Sequence, residues 1–134
     1  MKHTKILLLF LVAVLVLLHA CRKDFTMAPA AVQLPSGTIS FDTVILPVLT
    51  ANCAKSGCHV AGGQTPDLTV SNAYAQLTGL GYVPQDDTIE ADAKKSTLYA
   101  KLISTSKPMP PANPLTPTQL AEVLAWIQQG SLNN

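Results

Sequence analysis

Apolar and polar positions divide this chain into three stretches of different character. Ile6 to Leu18 is an unbroken apolar run of 13 residues behind Lys2, His3 and Lys5. Crossing a bilayer takes roughly 20 apolar residues, whereas a run of about 7–15 behind a positive N-terminus marks a cleaved secretory leader. Residues 1–20 are therefore expected to be removed. Residues 21–39 hold Pro29, Pro35 and Gly37 without a sustained period, which predicts a tether. From residue 40 to residue 134 helical spacing takes over. Ser40 can cap a helix reaching Asn52, with Phe41, Val44, Ile45, Val48 and Leu49 on one stripe and a kink or restart at Pro47. Ser71 can cap a second through Tyr74 and Leu77, stopping at Gly79. Ser96 can cap a third, in which Leu98 and Leu102, and Tyr99 and Ile103, recur four apart. Thr116-Pro117-Thr118-Gln119 is a capping box with proline in the first helical position. Its helix carries Leu120, Val123, Leu124 and Ile127, with Trp126 at the edge and Gly130 at the stop. No segment alternates as a strand does, so the expected fold is all-α.

Composition narrows the possible partners. Beyond residue 20 there are seven Lys or Arg against eight Asp or Glu, and Arg22 is the only arginine in the 134 residues. Phosphate binding needs clustered basic side chains, so a nucleic-acid partner is excluded. All 10 prolines and all 7 glycines lie beyond the leader, and its aromatics are only Phe25, Phe41, Tyr74, Tyr82, Tyr99 and Trp126. So small a supply of large apolar side chains calls for a disulfide, a metal or a large cofactor to complete the core.

The residues able to do chemistry are few and clustered. Beyond the leader stand one histidine, His59, three cysteines, Cys21, Cys53 and Cys58, and two methionines, Met27 and Met109. Cys53, Cys58 and His59 share one short segment. Met109 sits among Pro108, Pro110 and Pro111, which restrict the backbone and suit a loop that must hold one side chain still. In an oxidising compartment Cys53 and Cys58 could form a disulfide, leaving His59 an ordinary surface residue. A zinc site would need a carboxylate such as Asp87 or Asp92 to complete it, and an iron–sulfur cluster fails on thiolate count. Thioredoxin chemistry fails on spacing and on the lack of a βαβ pattern. Asp86, Asp87, Glu90 and Asp92 read as a solvated loop, and a Ser/His hydrolase is disfavoured because no nucleophile-plus-base arrangement is available.

A cysteine followed directly by histidine, with a second cysteine upstream, is the order of covalent haem attachment. Together with the Ile/Val-rich helix holding an internal proline, the Met-Pro-Pro loop and the closing Leu124-Ala-Trp-Ile127 helix, this segment resembles the c-type cytochromes. The likeness runs over residues 40–130 and is nearest to the small monohaem domains of bacterial lipoproteins. It implies a bundle of about four short helices around one covalently bound haem c. Cys53 and Cys58 would be the thioether residues, His59 the proximal iron ligand and Met109 the distal one. Phe41, Ile45, Leu102, Leu124 and Trp126 are then candidates to pack on the haem. The usual two residues between the cysteines are here four, Ala54 to Gly57, a minor variant in which Gly57 can take the positive φ of an outward bulge.

Leu18-His19-Ala20-Cys21 resembles a bacterial lipobox, which implies acylation of Cys21 and a protein held in the cell envelope at the outer membrane or periplasmic face. The function implied is single-electron transfer without catalysis, through weak transient docking of redox partner proteins. Two alternatives stand beside it. One is a non-haem surface lipoprotein stapled by a Cys53–Cys58 disulfide. The other keeps the haem with a displaceable Met109, as a small-ligand sensor or an accessory domain of a dehydrogenase. In place of Met109 itself, Lys107 as the sixth ligand or an open site are the alternatives.

Overall fold

Pro47 shapes the start of the fold. The computed structural model describes residues 35–85 and 93–134; the leader, Cys21, most of the tether and the acidic stretch 86–92 lie outside them. Proline has no N–H to give to the carbonyl four residues back, so an α-helix cannot run unbroken through this segment. The chain instead makes a π-helical turn over Phe41–Ile45 and restarts as α1, Leu46–Asn52, with Pro47 in its first turn, where no donor is required. The Ser40 hydroxyl caps the π turn by accepting the Thr43 N–H at 3.3 Å.

Helix α2 is Ala73–Gly79, followed by a 3₁₀ turn at Ala93–Lys95, then α3, Thr97–Leu102, and α4, Pro117–Gln128. All elements among the described residues are helical. The cap expected from Ser71 belongs to another arrangement. Helix α2 starts one residue later, behind Asn72, whose side chain turns back to Asp67 Oδ2 at 2.7 Å instead of capping. Asp67 Oδ1 accepts from the Thr69 N–H and hydroxyl at 3.0 and 2.7 Å, so an aspartate-centred turn organises the entry. Gly79 is the last helical residue of α2, and the left-handed stop comes two residues later at Gly81, φ 69°. The other caps form where expected. Ser96 Oγ accepts from Tyr99 N, and Thr116 and Gln119 exchange both bonds of the capping box at 2.9 and 3.2 Å.

Helix α4 packs against the π turn, α3 and the 3₁₀ turn, and its core is centred on Trp126. The indole is fully buried rather than at the stripe's edge, and its Nε1–H donates to Leu132 O at 2.8 Å, so the ring leaves no orphaned donor. The Phe41 ring lies 5.3 Å from Trp126, tilted by 40°, and meets Tyr74 edge-on at 5.2 Å. Ile45, Leu49, Leu77, Val123 and Ile127 complete the buried centre. Ile103, expected to extend the α3 stripe, caps that helix and is exposed, while Leu98 and Leu102 are buried.

The packed unit reaches further back than the tether boundary at residue 39. Ile39 is buried, its N–H donates to Gln129 Oε1 at 2.7 Å, and Gln129 Nε2 donates to Gly37 O at 2.9 Å. The C-terminal residue closes the same end: Asn134 O accepts from the Ser40 hydroxyl and from Asp42 N–H at 2.7 and 3.0 Å. No helix among the described residues is long and apolar enough to cross a membrane.

Candidate haem site

Helix α1 ends at Asn52, and Cys53 is its C-terminal cap, with its N–H on Leu49 O. Two successive turns then carry the chain from Cys53 to Cys58. Lys55 N–H donates to Cys53 O and Cys58 N–H to Lys55 O, both at 2.8 Å. Gly57 takes φ 76°, the left-handed conformation that side-chain-bearing residues avoid, so the four-residue spacing closes as a bulge. Gly63 has a different task. A Cβ there would collide with the Cys58 carbonyl oxygen, which is held at 2.7 Å by Gln64 N–H.

His59 is tied down at three points. Its N–H donates to Cys53 O at 3.2 Å, its carbonyl accepts from Leu68 N–H at 2.9 Å, and its ring Nδ1 lies 2.9 Å from Pro66 O. A carbonyl can only accept, so Nδ1 carries the proton of that bond. Nε2 is then the nitrogen with a free lone pair, the arrangement in which an imidazole ligates a metal.

Cys53, Cys58, His59 and Met109 all line one cavity of about 420 Å³, within the size range of pockets for organic ligands. Its walls are the 52–68 loop, the Leu98 and Leu102 side of α3, Tyr82 and the Met109–Pro111 loop. Met109 N–H donates to Lys101 O at 3.1 Å, which ties its loop to the end of α3. Met109 is 40% exposed. The Thr65–Pro66 and Met109–Pro110 peptide bonds are both cis.

Both thiols are free, Cys53 buried and Cys58 exposed. Burial first, then the neighbouring Cys58, pushes the Cys53 thiol up to about 11, with Lys55 opposing. Cys53 is accordingly a protonated thiol at neutral pH. Among the described residues no three His, Cys, Asp or Glu gather as a zinc site would require, and Asp87 and Asp92 lie outside them.

These residues fit a haem by their chemistry: two thiols and one oriented imidazole on one loop, one thioether on another, and a leucine, tyrosine and proline wall between. Of the residues expected to pack on the group, only Leu102 faces the cavity. Phe41, Ile45, Leu124 and Trp126 do not line it and belong to the buried core. The apolar stripes marked these residues as buried but not against what. Leu68, Tyr82, Leu98 and Pro66 take their place on the cavity wall. Leu98 was legible as one of the α3 stripe; the others gave no signal in the sequence. Comparison with models of protein families, with curated proteins and with solved structures finds no match.

Proposed function

We propose that this chain is a lipid-anchored, monohaem c-type cytochrome that carries single electrons in the cell envelope. The observation that carries the reading is convergence. Cys53, Cys58 and His59 on one loop, and Met109 beyond residues 60–108, meet on a single largely apolar cavity.

Each residue has a definite task. Cys53 and Cys58 would hold the group by thioether bonds, one from the core side and one from the exposed rim. His59 would present Nε2 as the proximal ligand, its ring plane set by Pro66 O. Met109 would present its sulfur as the distal ligand, with Pro108, Pro110 and Pro111 limiting the motion of its backbone. Leu68, Leu98 and Leu102 would exclude water from one face. The haem, when bound, supplies a one-electron couple, which a thioether ligand shifts toward the reduced state relative to two nitrogen ligands. With His59 and Met109 both on the iron, no iron position would stay open to a substrate, so the proposed role is carriage and not catalysis. Weak, transient docking of redox proteins suits such a carrier, and acylated Cys21 would keep it at the membrane.

The 40% exposure of Met109 supports a second reading, in which a small ligand displaces that sulfur and the domain senses it or serves a dehydrogenase. The two unbonded thiols lend no support to a disulfide-stapled interaction module. The test is haem staining after denaturing electrophoresis of the full chain from a host that attaches haem c. Stain that persists in the unsubstituted chain and vanishes in the C53A/C58A double variant supports the proposal. An unstained, unsubstituted chain refutes it.

A further inference from the structure

The cavity is asymmetric in charge. Apart from the imidazole, its described lining contains one basic side chain, Lys101, and no Asp or Glu. Lys101 occupies α3 between Leu98 and Leu102, both of which also line the cavity, so helical spacing puts all three on the same side of that helix. Its position is fixed by the Met109 N–H bond to its carbonyl. Its side chain is exposed and forms no ion pair among the described residues. A four-carbon stem can lie along the apolar wall while the ammonium stays at the open side.

We infer that Lys101 is an anion-binding residue of this cavity, pairing with a carboxylate of a planar group whose apolar body lies against Leu68, Leu98 and Leu102. The inference rests on the haem reading and deepens it. A haem is such a group, an apolar macrocycle with two carboxylates on one edge. Lys101 therefore selects for the free acid and sets which edge faces solvent. A half-exposed ion pair of this kind is screened by water, so its effect on affinity is modest, and it shows as a preference between two ligands that differ only in charge.

The experiment uses the full chain in detergent, purified without haem attachment and kept reduced, with fluorescent zinc protoporphyrin IX and its dimethyl ester as probes. The unsubstituted chain binds the free acid roughly 1.5-fold to fivefold more tightly than the ester, the span of exposed ion pairs. Lys101→Ala removes that preference, Lys101→Arg keeps it, and Lys101→Glu reverses it. Because Lys101 is exposed, these variants retain the fold, which their unchanged thermal melting verifies. A preference that persists in Lys101→Ala overturns the pairing alone. Failure of the unsubstituted chain to bind either porphyrin overturns the haem reading, and the pairing with it.

Discussion

The ring nitrogen Nδ1 of His59 and the carbonyl oxygen of Pro66 are 2.9 Å apart, so a residue seven positions downstream decides which imidazole nitrogen is free. That bond turns a cysteine–histidine sequence into an oriented ligand. Replacing His59 by Ala leaves both thioether positions intact. The variant retains covalent haem on a denaturing gel, and its native absorption spectrum loses the low-spin form. A low-spin spectrum identical to that of the unsubstituted protein would remove His59 from the iron.

Met109 is separable from the fold because it is 40% exposed and contributes little to the core. Met109→Ala changes the stability of the haem-free chain by less than about 1 kcal/mol, as surface substitutions do. In the holoprotein it abolishes the ferric thioether-to-iron absorption band near the red edge of the spectrum and lowers the reduction potential. Spectroelectrochemistry of the variant checks both effects.

Gly63 tests the loop without touching a ligand. A methyl group there meets the Cys58 carbonyl oxygen, a backbone atom that cannot swing aside. Gly63→Ala therefore destabilises the haem-free chain by about 1–3 kcal/mol, the range for overpacking. It also lowers the yield of attached haem, because the Cys58 and Gln64 backbone must separate. Chemical denaturation and haem content per chain measure the two.

The difference between what was legible and what was not follows from range. The Thr116–Gln119 box and the Ser96 cap are contacts three residues apart, and they form as their spacing foretold. The restart at Pro47 is equally local, since it follows from one missing donor. Ser71 failed as a cap because Asp67 organises that turn, and nothing in a four-residue window ranks those competitors. Cys53, Cys58, His59 and Met109 stood out because each is a scarce side chain. Pro66 was invisible because its contribution is a carbonyl, which every residue possesses. Phe41 and Trp126 were candidates to pack on a haem; they lie against each other in the core and do not line the cavity, since periodicity reports burial alone.

Cys53 makes stability depend on pH in the haem-free chain. Its thiol rises from the ordinary 9.0 to about 11 in the fold, chiefly through burial. Below pH 9 both states are protonated and the contribution is full. Between pH 9 and 11 the unfolded chain releases its proton first, so stability falls with rising pH, by about 2–3 kcal/mol in all. Urea titrations across that window show the decline, and Cys53→Ala lacks this component. At pH 8 a thiol-alkylating reagent correspondingly labels exposed Cys58 well before Cys53.

The central claim is that both sulfurs end in carbon–sulfur bonds to one porphyrin, and intact mass spectrometry under denaturing conditions tests it most directly. The protein isolated from a host that attaches haem c should weigh the processed chain plus one haem, with neither Cys53 nor Cys58 open to alkylation. A mass equal to that of the processed chain less two hydrogens, with Cys53 and Cys58 joined in one peptide, would contradict it.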